Sequence, residues 1–330
     1  MRITLAPWGE TIAELVRVAR DAESAGFDRV WTSEFARSAF VPATAIAAST
    51  TSIGVGTAIA LAFVRSPLVT SLTALDLDEL ASGRFVLGLG TGVKRLNADW
   101  HGTAFDPAAQ RMRETINVIR AVCDAALDGE TIDAGGDIVR LSMRGFRRPH
   151  PHSSAPMRIH LAAVGPRMLA TAAAVADGWI AHELGSPAHL RDVILPALAP
   201  AVRRPFEVVA SACCVIDDDR AAARRRARPT IAFYASVKTY EAFFASHGFG
   251  GEVAAIREAH RAGDNEAMHD AVTDAMVDAF CICGNPDDVR REVERYDGLA
   301  DSVKLSPPTH HTADEDIRTS QRRILETFAT

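Results

Sequence analysis

The stretch SIGVGTAIALAFVRSPLVTSLTALDLDELASGRFVLGLGTG, running from Ser52 to Gly92, decides the fold. Residues 53–59 and 84–89 are short, continuously apolar runs bounded by glycine, and a helical pattern fills the space between them. Strands that alternate with helices and lack a polar face belong to a parallel sheet covered on both sides. Pro67 falls in the first helical turn, where its missing N–H costs nothing, and Leu72, Leu75, Leu77 and Leu80 form the stripe expected to face the core. Both strands run into small residues, Thr57-Ala58 and Gly88-Leu89-Gly90-Thr91-Gly92. Small side chains there let a ligand approach the backbone.

Working outward, apolar β-branched runs predict strands near 3–6, 29–32, 53–59, 85–89, 158–163, 179–182, 206–216 and 302–305. Helical patterns at 11–25, 43–50, 68–80, 108–127, 166–176 and 187–198 follow the first six. Eight strands alternating with helices is the count of a TIM (β/α)8 barrel, whereas a doubly wound sheet of this length normally stops at five or six strands. Residues 1–330 are therefore read as one barrel domain, with insertions near 129–156 and 234–279. In such a barrel the loops after the strands carry function, and these insertions are expected over that mouth.

Composition narrows the function classes. A net charge of −6 and a pI near 6.0 argue against a nucleic-acid binder. The basic run from Arg220 to Arg228 follows Asp217-Asp218-Asp219, the ordinary arrangement of a solvated helix. Five cysteines, an odd count without a charged-then-apolar leader, fit a reduced cytoplasmic protein. Cys213 and Cys214 read as packing within a strand, and Cys281-x-Cys283 lacks zinc-knuckle spacing. The His150-Pro151-His152 and His310-His311 pairs have no partner motif, so no metal is expected. No apolar run is long enough to span a membrane, so neither membrane nor nucleic-acid partners are expected.

The residues just after the strands are the candidates for chemistry. They are Thr32-Ser33-Glu34, Thr57-Ala58-Ile59, Gly90-Thr91-Gly92, Gly165-Pro166-Arg167 and His182-Glu183. Glu34 in a barrel mouth fits either a tuned carboxylate or a capping, salt-bridging acid. Gly165-Pro166-Arg167 puts free helix N–H groups beside a cation, an anion site or a simple turn. His182 is either a ligand contact or a structural histidine, and His160 is expected to pack inside the barrel. The Gly88-x-Gly90-x-Gly92 run is no dinucleotide fingerprint, its third glycine coming one position early. No phosphate-binding P-loop or nucleophile elbow is present.

Jointly and in order, several motifs resemble the luciferase-like monooxygenase superfamily, in its coenzyme F420-dependent oxidoreductase branch with methylenetetrahydromethanopterin reductase and the F420-dependent dehydrogenases. They are Ala25-Gly26-Phe27-Asp28-Arg29-Val30-Trp31-Thr32-Ser33-Glu34, Gly56-Thr57-Ala58-Ile59 with Arg65-Ser66-Pro67, Leu77 through Ser82-Gly83-Arg84-Phe85 to Gly92, Leu161 through Gly165-Pro166-Arg167-Met168, and Ala176-Asp177-Gly178-Trp179. Gly284-Asn285-Pro286-Asp287-Asp288-Val289 is a weaker echo of the family's late helix start.

The resemblance implies a TIM barrel whose mouth holds coenzyme F420, with FMN as the alternative. It implies a non-prolyl cis peptide at Ala58-Ile59 behind the ring and a cofactor phosphate at Gly165-Pro166-Arg167. Ser33, Thr57, Gly90, Thr91, Gly92 and Lys94 join the expected cofactor contacts, and Glu34 and His182 are the expected catalytic residues. Sugar-phosphate dehydrogenases of the superfamily carry a carboxylate after the strand-four GTG and a histidine after the strand-two acid. This chain has Val93 and Phe35 there. Lys94, Arg95 and Arg167 are instead expected to meet the polyanionic tail of the deazaflavin.

The expected function is hydride transfer between F420 and a small organic substrate, in a cytoplasmic homodimer. The alternatives are an FMN-dependent monooxygenase using dioxygen and a non-catalytic cofactor-binding barrel.

Overall fold

A computed structural model describes residues 1–128, 131–149, 156–202 and 205–330. Its strands are β1 (Arg2–Leu5), β2 (Arg29–Thr32), β3 (Gly54–Thr57), β4 (Ala60–Leu61), β5 (Phe85–Gly90), β6 (Ile132–Gly135), β7 (Arg140–Met143), β8 (Arg158–Ala162), β9 (Gly178–Ile180), β10 (Glu207–Ile216), β11 (Cys281–Gly284) and β12 (Ser302–Ser306). Eight of them pair in parallel in the cyclic order β1, β2, β3, β5, β8, β9, β10, β12, and β12 returns to β1. This is a closed (β/α)8 barrel, and its eight strands are those anticipated from sequence.

The barrel interior is filled by side chains rather than left as a pore, as expected for eight strands. Trp31, Val86, Ile180 and Val209 form the central layer, with Ala58 and Ala162 packed against it. Space around Trp31 is made by glycine, since a Cβ on Gly56 would lie 2.5 Å from the indole ring. The indole N–H donates to Thr4 Oγ1 at 3.0 Å. Between barrel and helices runs the main core, continuously apolar because these strands are covered on both faces.

Differences from the sequence reading have physical causes. The run 53–59 is no single strand, because the chain bulges after Thr57 and resumes as β4. Leu80 is 43% exposed rather than in the core stripe, while Ala74, Leu75, Leu77 and Asp78 are buried. Around 129–156 the described part is the antiparallel hairpin β6–β7, packed on the helix Ala108–Asp128. His150 and His152 lie outside the described residues.

Around 234–279 the chain is helical, and these helices share a second core with β10 and β11. Strand β11 escaped detection because it is only four residues long and pairs outside the barrel, on the far half of the ten-residue β10. Cys281 and Cys283 are buried in it, and all five cysteines are free and buried. Arg224, Arg225, Arg226 and Arg228 of the helix Arg220–Ser236 pair with Asp217, Asp219, Asp274 and Asp278, a solvated, ion-paired face. Among the described residues no helix is long and apolar enough to cross a membrane.

Candidate active site

The mouth of the barrel is organised by the bulge after β3. The Ala58–Ile59 peptide is cis, as the family resemblance implied. Its backbone is laced to both neighbours: Ala58 N donates to Thr32 O at 2.7 Å, Glu34 N to Ile59 O at 3.0 Å, and Ala62 N to Gly90 O at 3.0 Å. Thr57 is fully buried, and its hydroxyl donates to Gly88 O at 2.7 Å while accepting from Gly88 N at 2.9 Å. A Cβ on Gly88 would sit 1.7 Å from Thr57 O, so only glycine permits this approach. Thr57 therefore fixes the strand end, and Ala58 and Ile59, both partly exposed, present the surface of the bulge.

Glu34 follows β2 and turns under the same bulge. Its carboxylate accepts from Leu61 N at 2.9 Å and from both terminal nitrogens of Arg65, at 2.7 and 2.5 Å. A bidentate pair of this kind fixes geometry as well as charge. The Glu34 side chain is only 9% exposed, so both its oxygens are committed to holding the bulge in place. Arg65 of the Arg65-Ser66-Pro67 motif thus acts by clamping Glu34. Ser33, beside Glu34, is exposed.

After β5 the chain passes Gly90, Thr91 and Gly92. Gly92 has φ +63°, the left-handed region that favours glycine. Asn97, fully buried, donates to Thr91 O at 2.7 Å and Val93 O at 3.1 Å, which holds this loop. Lys94 pairs with Asp106 and Arg95 with Asp99, both on exposed side chains. Exposed pairs of this sort contribute little and exchange readily for a better anion. Phe35, after β2, and Trp100, in the helix Lys94–His101 after β5, are both well exposed and meet at a tilt with ring centroids 5.3 Å apart.

On the next side of the mouth, Gly165 caps the helix Pro166–Val175 without any side-chain hydrogen bond. Nothing lies within 4 Å of where its Cβ would stand, and Gly165, Pro166 and Arg167 are all exposed. No ion-pair partner meets Arg167 among the described residues. A helix N-terminus left open beside a cation is suited to an anionic group such as a phosphate.

The third side comes from β9, β10 and β12. His182 follows β9, and its Nδ1 accepts from Leu184 N at 3.2 Å. Its ring packs against Tyr234 and Tyr240, each with centroids at 4.5 Å. Burial holds the imidazole pKa down at about 4 despite the neighbouring Glu183, so the ring is neutral at pH 7. Glu183 accepts from Tyr234 Oη at 2.6 Å and Ser306 Oγ at 2.7 Å. Burial works against its charge, yet His310, these two hydroxyls and Lys304 hold its pKa below the ordinary carboxylate value.

Lys304 projects from β12 into this side, its pKa lowered by burial against the pull of Glu183. His310 stacks on Phe233 at 3.8 Å. Among the described residues no three metal-ligating side chains gather.

Sequence reasoning pointed to His182-Glu183 and missed Lys304, Ser306 and Tyr234. Lys304 and Ser306 lie in a strand predicted only for its apolar character, and Tyr234 begins an insertion whose composition looked plain.

Comparison with known proteins agrees with this geometry. The family model described as luciferase-like monooxygenase matches residues 2–302. A 5,10-methylenetetrahydromethanopterin reductase of Methanolobus tindarius is 31% identical, covering 90% of this chain and 91% of its own. A putative coenzyme F420-dependent oxidoreductase of Mycobacterium tuberculosis is 30% identical over 88% of this chain and 90% of its own. The solved coenzyme F420-dependent tetrahydromethanopterin reductase of Methanopyrus kandleri shares the fold, with a TM-score of 0.82 at 23% identity over 99% of both chains. The chain thus belongs to the luciferase-like monooxygenase family of oxidoreductases, on the side of it that holds relatives named as F420-dependent.

Proposed function

We propose that this chain binds coenzyme F420 and moves a hydride between it and a small organic substrate, as one barrel unit with insertions near 129–156 and 234–279. One observation carries the reading: one mouth holds both a fixed bulge at Ala58–Ile59 and an open helix N-terminus without a side-chain cap, where Arg167 has no ion-pair partner among the described residues. The partly exposed bulge suits a ring and the helix terminus suits a phosphate. When bound, F420 supplies the two-electron hydride chemistry.

The protein's own residues then divide the work. Ala58, Ile59 and the Gly90-Thr91-Gly92 loop back the ring, with Thr57 and Glu34 acting through the bulge they hold. Gly165, Pro166 and Arg167 take the phosphate. Lys94 exchanges Asp106 for the acidic tail, and Ser33 lies exposed at the rim on the loop after β2. His182 faces the substrate.

The reading is tested by titrating the purified chain with F420 and, separately, with FMN, following the fluorescence of each. Saturable F420 binding with little for FMN is expected. Arg167→Glu should weaken F420 binding at least tenfold, about 1.4 kcal/mol, and leave the melting temperature unchanged. Preference for FMN with consumption of dioxygen would replace the reading with a flavin monooxygenase, since a reduced deazaflavin does not support oxygenation. Tight F420 binding without oxidation or reduction of any substrate would leave a cofactor-binding barrel.

Two further features belong to this proposal. Five free, buried cysteines suit a reducing, cytoplasmic setting. Val41 and Val69, 55% and 51% exposed on the adjacent helices Phe40–Ala47 and Pro67–Leu80, mark the face for a homodimer. Light scattering measures the mass directly, and a monomer at micromolar concentration would remove the dimer.

A further inference from the structure

His182 is held more tightly than a ring that merely fills space. Its Nδ1 accepts the Leu184 backbone N–H, so the neutral ring carries its proton on Nε2. Leu184 is itself fully buried and bridged to Ala212 of β10. Tyr234 meets the ring edge-on at 80°, and Tyr240 covers it at 47°. Tyr234 is anchored in turn by its hydrogen bond to Glu183, whose other oxygen is held by Ser306.

Each partner in this chain is fixed by the next, and the chain ends at an Nε2–H with no partner among the described residues. His182 as a residue is half-buried. It lies two residues beyond Ile180, which packs in the same cluster as Ala58. By alternation along the chain His182 is on the same side as Ile180, the side that faces the barrel interior where Ala58 also packs.

The charges around it favour a neutral ligand. Glu183 and Lys304 oppose one another, burial lowers the His310 pKa against the pull of Glu183, the two tyrosines are uncharged at pH 7, and the ring itself is neutral. Such a wall gives a carboxylate or phosphate no net attraction. It suits an oxygen that is neutral in the bound substrate and gains negative charge as the reaction proceeds.

We propose that His182 is the substrate-contacting catalytic residue, its Nε2–H donating to the oxygen of a carbonyl substrate or the carbinol it becomes. This rests on the hydride-transfer reading above. The carbon takes the hydride with its electron pair from a reduced deazaflavin, the π pair moves onto oxygen, and the oxygen takes its proton from water at the mouth. His182 holds that oxygen throughout and does not change its own protonation. Tyr234 and Glu183 are positioning residues acting through the ring. The role left vacant at Val93 and Phe35 passes in this way to the loop after β9.

The test has two arms. In the first, nitrogen NMR of histidine-labelled chain without cofactor should show His182 protonated on Nε2 and bare on Nδ1 from pH 6 to 8, its signal assigned with His182→Gln. A charged ring at pH 7, or a proton on Nδ1, overturns the proposal.

In the second arm, chemically reduced F420 is offered with a panel of small ketones and aldehydes. His182→Ala should lower kcat about 100-fold while F420 affinity stays within twofold, and His182→Gln, which keeps a donor, should recover part of the loss. Wild-type turnover in His182→Ala, or no carbonyl turnover by a wild type that binds F420, overturns it. If F420 does not bind at all, the hydride-transfer reading falls and the NMR arm alone decides the donor.

Discussion

Acid should unfold this protein early, and His160 is the cleanest place to measure why. The ring is fully buried in β8 near Trp31, and neither nitrogen has a hydrogen-bond partner among the described residues. Burial drives its pKa from 6.5 to about 4, outweighing Glu207 at 3.5 Å. Because the folded value is depressed, the unfolded chain takes up the proton first. The stabilisation is complete above pH 6.5 and is lost as pH falls toward 4.

Between pH 7 and pH 5 one such group costs the fold about 2 kcal/mol. His182 contributes a similar loss in the same direction. Glu207, lowered from 4.5, loses its contribution only at lower pH, so the window isolates the histidines. Urea unfolding followed by circular dichroism at the two pH values gives the difference directly, provided the slope is unchanged. His160→Gln should show an acid loss smaller than wild type by about 2 kcal/mol. An equal loss in both proteins, or a His160 NMR titration midpoint near 6.5 in the folded chain, refutes the reasoning.

Gly88→Ala places a methyl 1.7 Å from a backbone oxygen, which no rotamer can relieve. The variant should lose more than about 3 kcal/mol or fail to accumulate as soluble protein, and a melting temperature within a few degrees of wild type would contradict the packing. Arg65→Leu leaves Glu34 a nearly buried carboxylate with Leu61 N–H as its remaining partner. Stability should fall by about 2 kcal/mol, and adding Glu34→Gln should recover part of it; strictly additive losses in that double-mutant cycle would show that the pair is not coupled.

The barrel was legible because its strands are buried on both faces, so their apolar runs stand out against amphipathic helices. Glycines at 88, 90 and 92 announced close approach without saying to what. The bulge was readable only through family resemblance: the 53–59 run looks like one strand, and the bulge after it is held by Glu34, distant in sequence, through Leu61 and Arg65. The His182 wall was half legible. A histidine and glutamate at a strand end were visible, but the lysine and serine of β12 and the tyrosines of the helical segment reach them only through barrel closure. No local pattern encodes that meeting.

Strand β10 serves two masters. Its early residues, Glu207 to Cys213, pair with barrel neighbours, and its last four, Cys213 to Ile216, pair with β11. The helices that supply Tyr234 and Tyr240 are thereby hydrogen-bonded to the barrel wall through a shared strand. To swing that segment aside as a body would break the β10–β11 ladder and expose buried cysteines and phenylalanines. The wall around His182 is thus fixed to the barrel, and a change of preferred reactant would arise by replacing wall side chains rather than by hinging a door.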